Sequence, residues 1–490
     1  MSVGDFRLLY FKTVDDYGNK LEVDLLDDKK KYEGLLTTLI IGPNGTRKST
    51  LLSLMTDVFR ELDDLKALRR DRTPKVYFEM VYKINDNEYS VENNIKGIYF
   101  FCNKKQIYIE KLELPQRVLA VSYMVNDKFV FNKLDDKENG GKEIYRYLGV
   151  RQASNITFIN TIVRNIIDRI IKNSSDQLFL KRLKIILEFL DIKGDLEICF
   201  EPKRRKNLFE SGITNKDIKI LTNRMSNQAS FRSDKIKNFS ENDLLEISNF
   251  INTTSNQRNL IATKNSVSLC YNINLHHFNE NTNLIHDYPI IQKLISLDYI
   301  LTPTLRFKSE NQIFDFEGTS SGEKHFLFTM LSIASEIKNS SVIFMDEPEL
   351  SLHPNWQIKY ISCLKKIFKD YSSCHVIIAT HSHFMLSDLE AFSSSIVSLR
   401  KKTDNSIDSI LHDENTFGWS VEDILYNIFG VITTRNLFVA KEVDAILEKI
   451  SKGEDLIEDD IKKLIYIKKN MNENDPLNGV LKIILGRFDK

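Results

Sequence analysis

A strand-like run, a glycine-containing loop and a helix-like pattern follow one another between Leu35 and about Leu62, and this unit constrains the fold of the 490-residue chain most strongly. Leu35 to Ile41 are mostly apolar, as in a buried strand. The loop reads Gly42-Pro-Asn-Gly-Thr-Arg-Lys48-Ser49-Thr50. After it, apolar residues recur at helical spacing, namely Leu51, Leu52, Met55, Val58, Phe59 and Leu62. A loop in this position is the arrangement that cradles phosphate groups.

Each part of this loop has a chemical role in holding a nucleotide. Backbone N–H groups point inward at a phosphate, and the helix N-terminus adds the positive end of its dipole. Lys48 adds a full positive charge, and the Ser49 hydroxyl can ligate Mg²⁺. We therefore predict that ATP and Mg²⁺ bind here, through these candidate residues: Gly42, Asn44, Gly45, Arg47, Lys48, Ser49 and Thr50. The alternative is a strand-to-helix turn with an incidental Lys-Ser pair.

Arg47 stands where such a loop usually has glycine directly before the lysine. Arginine adopts the backbone conformations of glycine only at an energetic cost. We therefore expect an altered loop geometry or an altered rate of ATP hydrolysis.

Two later segments carry groups suited to phosphate chemistry. Thr319-Ser-Ser-Gly-Glu-Lys324 precedes a helical run, and small polar residues at a helix start can bind an anion, although they are also ordinary helix caps. The apolar run from Val342 ends in Asp346 and Glu347. Metal-assisted hydrolysis needs one carboxylate on Mg²⁺ and one on a water, and the alternative is a solvated acidic turn.

A histidine follows the next apolar run. Val376-Ile-Ile-Ala is followed by Thr380-His381-Ser382-His383, so His381 lies where it could touch a γ-phosphate. A single histidine at a strand end is more often structural.

The order of these segments resembles that of the ATP-binding-cassette (ABC) head ATPases, in the branch shared by chromosome-maintenance proteins, RecF-like repair ATPases and the overcoming-lysogenization-defect family. The resemblance covers about residues 1 to 60 and 310 to 390. It implies an α/β fold: an ABC-type P-loop ATPase head, made of an antiparallel β subdomain and a mostly parallel sheet with helices. A helical insert and a helical C-terminal region complete the expected architecture.

The resemblance also implies residue roles. Glu347 would be the general base and His381 the switch histidine, while Ser49 and Asp346 would hold Mg²⁺. Ser320 and Gly322 would contact the γ-phosphate of ATP bound to a second subunit, so the site would be split across a head-to-tail dimer or a higher oligomer.

Two positions depart from the family pattern. His383 replaces a proline often seen two places after the switch histidine, and no clear Q-loop glutamine is present, with Gln116 and Asn126 as candidates.

The length suggests two or three lobes, and 42% hydrophobic with 28% charged residues is typical of a globular protein. We expect the N-terminal part of the head with the phosphate loop, a helical insert with a polar basic arm, the C-terminal part of the head, and a helical partner-binding region. Their ranges are residues 1–150, 151–300, 301–412 and 413–490, respectively.

The 68 basic residues balance 68 acidic ones, so any nucleic-acid contact requires a local patch. The arm at residues 203–237 offers basic residues with aromatics among them, which predicts DNA or RNA contact: Lys203, Arg204, Arg205, Lys206, Lys216, Lys219, Arg224, Arg232, Lys235 and Lys237, with Phe209 and Phe231. A solvated, flexible face is the alternative, because Glu201, Glu210 and Asp217 are interleaved.

The five cysteines include no CxxC pair and no zinc-ligand spacing, which fits a reduced cytoplasm. No run approaches the roughly 18 apolar residues of a membrane helix. We therefore expect a soluble, unprocessed, cytoplasmic protein without a membrane partner.

Related classes of protein are disfavoured by what the chain lacks. Zinc-hook repair ATPases need a CxxC between coiled-coil arms, and the nucleases of the lysogenization-defect family need an acidic Toprim domain where this tail looks helical. His276, His277, Asn281 and His286 only faintly suggest an HNH nuclease, and a surface polar segment is the preferred interpretation. We expect an ATPase without a nuclease.

Local features also resemble the stand-alone ATPase subunits of Septu-like and retron-associated anti-phage systems, whose partner is an HNH nuclease. These features are the compact insert, the segment Leu114-Pro-Gln-Arg-Val-Leu-Ala-Val-Ser before Asn126, and the segment from Phe417 to Asn436. The resemblance implies an infection-sensing ATPase that controls a nuclease. In a retron system, a reverse transcriptase with its nucleic acid would join this complex. Two alternatives stay open: a RecF-like DNA-repair clamp, and a scaffold like the ATPase half of the PARIS system, which holds a toxic nuclease with little turnover.

Overall fold

The computed structural model describes residues 4–14, 20–69, 76–124, 126–131, 143–151, 159–192, 195–203, 206–214, 216–220, 239–257, 260–262, 266–275, 282–301, 303–308, 313–402, 406–412, 416–430, 437–453, 456–471 and 476–486. The chain divides into two compact units, Met1–Gly418 and Trp419–Lys490.

The strands, in chain order, are β1 Phe6–Val14, β2 Lys20–Asp24, β3 Leu36–Ile41, β4 Tyr77–Ile84, β5 Asn87–Asn94, β6 Gly97–Cys102, β7 Lys105–Ile107, β8 Arg117–Ser122, β9 Tyr145–Tyr147, β10 Asp195–Phe200, β11 Leu260–Ala262, β12 Val267–Ile273, β13 Thr304–Lys308, β14 Ile313–Asp315, β15 Ser341–Asp346, β16 His375–Ala379, β17 Ser394–Lys401 and β18 Ile407–His412. The helices are α1 Lys48–Lys66, α2 Ile159–Asn173, α3 Gln177–Phe189, α4 Leu208–Ser211, α5 Glu241–Gln257, α6 Thr282–Ser296, α7 Ser321–Glu336, α8 Pro354–Ile358, α9 Tyr360–Ile367, α10 Val421–Asn427, α11 Leu437–Ser451, α12 Glu458–Lys469 and α13 Pro476–Leu485. Short 3₁₀ turns lie at Ile109–Lys111, Phe316–Gly318 and Phe384–Leu386.

Two sheets build the head in the first unit. A mostly parallel sheet has the order β18-β17-β3-β16-β15-β8-β9, and an antiparallel sheet has the order β2-β1-β4-β5-β6-β7. One hydrophobic core joins both sheets and α1, and its centre includes Phe6, Phe59 and Tyr82, whose ring centroids are 5.6–5.8 Å apart. The expected combination of an antiparallel subdomain with a mostly parallel sheet is confirmed.

A buried guanidinium fastens β1 to the ends of the parallel sheet. Arg7 donates hydrogen bonds to the carbonyl oxygens of Phe6 at 2.8 Å, Ser372 at 3.0 Å, Cys374 at 3.1 Å and Gly34 at 3.3 Å. Burial lowers its pKa, but the guanidinium stays charged. One side chain therefore joins the first strand to the segments that precede β3 and β16.

The insert contains the two helices that the sequence pattern marked, α2 and α3, together with α5 and α6, but it also contains three strands that the pattern did not identify, β10, β11 and β12. A third sheet has the order β11-β12-β10-β13-β14, with all neighbours antiparallel. The insert is therefore a mixed α/β element rather than a mainly helical one. Strands β10 and β12 are separated in sequence by α4 and α5, so no strand-turn-strand pattern marked them as a pair.

The insert packs on the head through α7. Helices α2 and α3 contact α7, and the rings of Phe189 and Phe326 stack with centroids 4.5 Å apart. Trp356 lies against both rings, at 5.8 Å and 6.3 Å. Helix α7 is thus covered by the insert.

Two of the cysteines are paired, which their spacing in the sequence did not indicate. Cys199 of β10 lies opposite Cys270 of β12 in the antiparallel register, and the two form a disulfide across 71 residues of sequence. The other three cysteines are free: Cys102, Cys363 and Cys374. The paired cysteines correct the expectation of a chain whose cysteines are all reduced.

The second unit is helical. Its helices α11, α12 and α13 share a small apolar core, made of Val443, Ile446, Leu464, Ile467, Leu481, Ile484 and Leu485. Helix α10 begins after Ser420, whose hydroxyl accepts a hydrogen bond from the N–H of Asp423 at 3.1 Å. In the described part of the chain, no helix combines the length and apolarity required to cross a bilayer.

A buried histidine links three elements of the head. The N–H of Leu8 donates to Nδ1 of His375 at 3.1 Å, so Nε2 carries the ring proton and donates to Thr38 Oγ1 at 2.7 Å. The Thr38 hydroxyl also shares a hydrogen bond with Ser395 Oγ at 2.7 Å. Burial, helped by the charge of Arg7, lowers the pKa of His375 well below 6.5.

We predict that His375 weakens the fold in mild acid. A histidine whose folded pKa lies below its unfolded pKa contributes stability that is present above about pH 6.5 and is lost as pH falls toward the folded pKa, by up to about 1.4 kcal/mol per pH unit. Between pH 7.5 and 5.5, the urea midpoint of the wild type should therefore fall more than that of His375→Asn. His286→Asn, at an exposed site, should keep the wild-type slope. Equal slopes for the wild type and His375→Asn would contradict the prediction.

Candidate functional site

The candidate site lies where parallel strands of the central sheet end level with one another. Ala379 of β16 lies opposite Ile40 of β3 on one side and opposite Asp346 of β15 on the other, and Asp346 lies opposite Ser122 of β8. The segments that follow these strands therefore leave the sheet at one edge. This edge receives the loop after β3, the acidic pair after β15 and the histidine segment after β16.

The loop at residues 42–50, called the Lys48 loop below, wraps around its own lysine. Lys48 Nζ donates to the carbonyl oxygens of Gly42 at 2.7 Å and Pro43 at 3.3 Å. At Gly42, φ is +154° and an added Cβ would lie 2.5 Å from the Leu399 carbonyl oxygen of β17, so a side chain would not fit. Other predicted contact residues of the loop are exposed, namely Asn44, Gly45, Arg47 and Thr50.

Arg47 has φ 62° and ψ 26°, a left-handed conformation. The loop therefore keeps the backbone conformation that glycine usually adopts here. Because arginine occupies the position, this conformation is strained. For a non-glycine residue this conformation costs about 1–2 kcal/mol. The effect on hydrolysis stays a prediction.

Ser49 and Asp346 form the part of the site suited to a divalent cation. The Ser49 hydroxyl donates to Asp346 Oδ1 at 2.9 Å. Burial raises the pKa of Asp346 to about 6, with smaller contributions from neighbouring carboxylates, among them Glu347 and Asp127. Mg²⁺ prefers hard oxygen donors, and its charge would offset the burial of this carboxylate. The donor set therefore fits Mg²⁺.

Glu347 and His381 meet beside this pair. Glu347 also has a left-handed backbone, with φ 47°, and its N–H donates to the Ala379 carbonyl oxygen at 2.9 Å. The side chains approach to 3.6 Å between Glu347 Oε1 and His381 Nε2. Burial and then the Lys48 charge lower the pKa of His381 below 6.5, which favours the neutral ring near pH 7.

Carboxylates surround the single lysine of the loop. Burial lowers the pKa of Lys48, and the charges of Glu347, Asp346 and Glu349 oppose that shift. The Lys48 ammonium group, the N-terminus of α1 and the two oxygens of Ser49 and Asp346 thus lie together. This arrangement can hold a phosphate together with a bound cation.

The signature segment, residues 319–324, forms hydrogen bonds within itself and packs on the loop after β15. Ser320 caps α7 in a capping box: its Oγ accepts from the Glu323 N–H at 3.2 Å, and its own N–H donates to Glu323 Oε2 at 2.6 Å. A Cβ at Gly322 would lie 2.5 Å from the Ser351 carbonyl oxygen, in the loop after β15. Helix α7 therefore packs closely on the loop that follows the acidic pair.

Two residues at the site were not identified from the sequence. Glu349 accepts a hydrogen bond from the His381 N–H, with Oε1 at 2.6 Å. His325 of α7 stacks on Tyr123, with ring centroids 4.0 Å apart, and its Nδ1 lies 2.7 Å from the Leu350 carbonyl oxygen. Burial lowers the pKa of His325 to about 4, so the neutral ring donates to that carbonyl. A signal for Glu349 was its place beside Asp346 and Glu347, whereas the His325 stack had none.

The strand register separates the two Q-loop candidates. The Gln116 N–H donates to the Ser340 carbonyl oxygen at 3.0 Å, at the amino end of β8, so Gln116 lies at the opposite edge of the sheet from Asp346. The hypothesis for Gln116 is therefore wrong. Asn126 is exposed and follows the carboxyl end of β8.

The basic arm lies partly outside the described residues, including Arg204, Arg205 and residues 221–238. Of its described lysines, Lys203 pairs with Asp298 at 2.8 Å and Lys219 pairs with Glu241 at 2.7 Å. Nucleic-acid contact stays a prediction, as does the absence of an HNH motif, because His276, His277 and Asn281 also lie outside the described residues.

Comparison with known proteins gives a family. Residues 37–387 match the family described as "AAA domain, putative AbiEii toxin, Type IV TA system". The chain belongs to this family. The match spans the Lys48 loop, the signature segment, the acidic pair and His381, and it confirms the resemblance to ABC-type ATPases.

A curated relative is the Septu protein PtuA of Bacillus thuringiensis, 26% identical over 218 residues. That match covers 39% of this chain and 54% of PtuA, so it spans about half the length of the relative. One similar solved structure is the Smc head domain with an extended coiled coil bound to the C-terminal domain of ScpA, from Pyrococcus furiosus. It is 12% identical to this chain, with a TM-score of 0.33. The match covers 83% of this chain and 96% of that one. The SMC head domain from Thermotoga maritima is 13% identical, with a TM-score of 0.33, and the match covers 83% of this chain and 100% of that one.

We predict that the strain at Arg47 is measurable as a difference between two substitutions. Arg47→Gly and Arg47→Ala both remove the side chain, but only glycine adopts φ 62° without strain. Arg47→Gly should therefore be more stable than Arg47→Ala by about 1 kcal/mol in urea denaturation.

The matched control is Arg60, inside α1, where the order should reverse: Arg60→Ala should be more stable than Arg60→Gly by about 1 kcal/mol. If Arg47→Ala were more stable than Arg47→Gly, as expected at Arg60, the backbone of Arg47 would not be strained.

Proposed function

We propose that the protein binds and hydrolyses ATP with Mg²⁺ as an ABC-type ATPase. The observation that carries the proposal is the meeting of Ser49 Oγ with Asp346 Oδ1 at 2.9 Å beside Lys48 and Glu347, at one edge of the parallel sheet. These groups come from separate parts of the sequence, and the family match spans all of them. An incidental strand-to-helix turn would require none of them to meet.

The chain's own residues divide the chemistry among them. The N–H groups of the Lys48 loop and the start of α1 bind the phosphates, and Lys48 supplies positive charge. Ser49 and Asp346 would hold Mg²⁺, which neutralises charge on the phosphate oxygens when bound. Glu347 accepts the proton of the attacking water as general base. His381, 3.6 Å from Glu347, orients that carboxylate or touches the γ-phosphate.

A second copy of the chain completes the site in this proposal. Ser320 and Gly322 lie at the N-terminus of α7, and their contacts run to Glu323 and Ser351 rather than to the Lys48 loop. The small residues and the helix dipole suit a γ-phosphate presented by another subunit. The assembly is a head-to-tail dimer or a higher oligomer whose formation depends on ATP.

The similarity to the Septu protein PtuA supports a role in anti-phage defence. We propose that the protein acts in the bacterial cytoplasm, senses infection, and controls a partner nuclease of the HNH type. Residues 413–490 provide the surface for this partner, and in a retron-linked system a reverse transcriptase with its nucleic acid joins the complex.

One observation favours a second function. The left-handed backbone of Arg47 places strain in the loop on which turnover depends, which suits a scaffold that binds ATP, turns it over slowly and sequesters a toxic nuclease. Turnover no faster than that of a Glu347→Gln variant would select this function. The RecF-like repair clamp instead requires stimulation of hydrolysis by duplex DNA.

We predict that Lys48→Ala abolishes ATP binding, because the variant removes the only positively charged side chain that this loop directs over its carbonyl oxygens in the described structure. Equilibrium binding of a fluorescent ATP analogue measures the loss. Lys66→Ala, in the last turn of the same helix, is the matched control and should bind normally. Normal binding by Lys48→Ala would remove the assignment of the Lys48 loop.

We predict that Glu347→Gln binds ATP without hydrolysing it and accumulates as dimers, since the variant keeps the metal pair and loses the base. Native mass spectrometry with and without ATP, after expression with the neighbouring genes, reports both the dimer and any nuclease that co-purifies. Glu336→Gln, at the far end of α7, is the control and should cycle normally. Monomers with normal turnover would defeat the composite site, and a protein recovered without a nuclease would favour the repair clamp.

A further inference from the structure

Glu349 is a carboxylate of the site to which neither phosphate binding nor base catalysis assigns a role. It lies three positions after Asp346, in the loop that follows β15. Its Oε1 accepts the backbone N–H of His381 at 2.6 Å. Its Oε2 is buried, and the Thr380 side chain lies close to the carboxylate. Burying a carboxylate costs free energy, which the hydrogen bond from the His381 N–H offsets in part.

The His381 N–H lies beyond the ladder of the parallel sheet. Strand β16 ends at Ala379, and the next N–H group, that of Thr380, donates to the Ile40 carbonyl oxygen at 3.0 Å. After His381, the Ser382 N–H donates to Thr380 Oγ1 at 2.9 Å. Glu349 therefore accepts the hydrogen bond from the backbone N–H of the switch histidine, His381.

Two hydrogen bonds join the loop after β15 to this turn. The first runs from the Glu347 N–H to the Ala379 carbonyl oxygen at 2.9 Å and involves only backbone atoms. The second runs from the His381 N–H to Glu349 and depends on a side chain. The loop that carries Glu347 thereby also fixes the backbone of His381, whose ring reaches Glu347 at 3.6 Å.

A role as a metal ligand or second base is less consistent with these contacts. Oε1 already faces the His381 N–H, and Oε2 is enclosed, so neither oxygen is presented to a bound phosphate. The contact with the His381 N–H requires only an acceptor oxygen, and an amide supplies one as well as a carboxylate does. Replacing Glu349 with glutamine should therefore preserve a positioning role but remove a role as metal ligand or base.

We propose that Glu349 is a positioning residue that holds His381 in register with Glu347, an inference that rests on the proposed ATPase. It acts through the backbone of His381 and does not touch the reacting atoms. Its side chain sets the distance between the general base and the histidine ring.

The first test is steady-state ATP hydrolysis by Glu349→Gln, Glu349→Ala, His381→Ala and the Glu349→Ala/His381→Ala double variant. Glu349→Ala should lower kcat by about 10- to 100-fold with KM for ATP unchanged, because misplacing a catalytic group by about 1 Å costs up to about 100-fold. Glu349→Gln should stay within about threefold of the wild type, since the amide oxygen accepts the same hydrogen bond. The double variant should be no slower than His381→Ala, as expected for two residues that act as one unit. Glu390→Ala, a partly buried glutamate away from the site, is the matched control.

The second test does not depend on turnover. The chain has nine histidines, so ¹³C labelling of histidine ring carbons gives few resonances, and His381→Ala identifies the one from His381. Glu349→Ala should move this resonance more than those of His353 and His412, and Glu349→Gln should leave it in place. Circular dichroism and the urea midpoint check that each variant is folded.

Three results would overturn the proposal: Glu349→Gln as slow as Glu349→Ala, an additive double variant, or a His381 resonance unmoved in Glu349→Ala. Failure of the proposed ATPase looks different. A wild type that binds ATP without hydrolysing it rejects turnover, while the resonance test still decides whether Glu349 positions His381.

Discussion

The backbone ladder of the parallel sheet is the constraint on which the site depends. Ile40, Ala379 and Asp346 lie side by side in register, so three segments from distant parts of the chain leave the sheet at the same height. The 2.9 Å contact between Ser49 and Asp346 depends on this register. A slip of β3 or β15 by one residue would break the contact, because it would turn every side chain of that strand to the other face of the sheet. The buried contacts of Arg7 and His375 at the opposite ends of these strands support the same register.

Three residues with left-handed backbone lie in the loops that follow the ends of the parallel strands or pack against them. Arg47, Glu347 and Ser351 have left-handed φ values of 62°, 47° and 65°, and none is glycine. Such conformations persist when surrounding contacts over-determine them. Here the Glu347 N–H is held by Ala379, and Gly322 packs against Ser351, so the loop after β15 is fixed from the sheet on one side and from α7 on the other. The strain is the cost of turning the chain sharply enough to present Glu347 beside Lys48.

The sequence was sufficient to predict the parts of the head whose chemistry is local. The Lys48 loop, the acidic pair and the His381 turn each combine a strand signal with reactive residues, and their order carried the family resemblance that implied one shared site. The third sheet in the insert was not predictable in this way, since β10 and β12 pair across a segment that contains α4 and α5. Cys199 and Cys270 become neighbours only through that pairing. The choice between Gln116 and Asn126 likewise needed the register, because only the structure shows which end of β8 faces the site.

The electrostatics of the site support the proposal of a composite site. Asp346, Glu347 and Glu349 all act on Lys48, whose own charge is weakened by burial. A nucleotide would add the negative charge of its phosphates to this set of carboxylates, and at short range in a partly buried site like charges repel strongly. The start of α1 and a cation on Ser49 and Asp346 offset part of that repulsion. The N-terminus of α7 is capped by Ser320 and Glu323 and packs on Ser351. The positive end of this helix is not used by the Lys48 loop of the same chain. A second copy of the chain is the natural source of that missing positive end, which is why the proposed composite site accounts for the charges better than a monomer does.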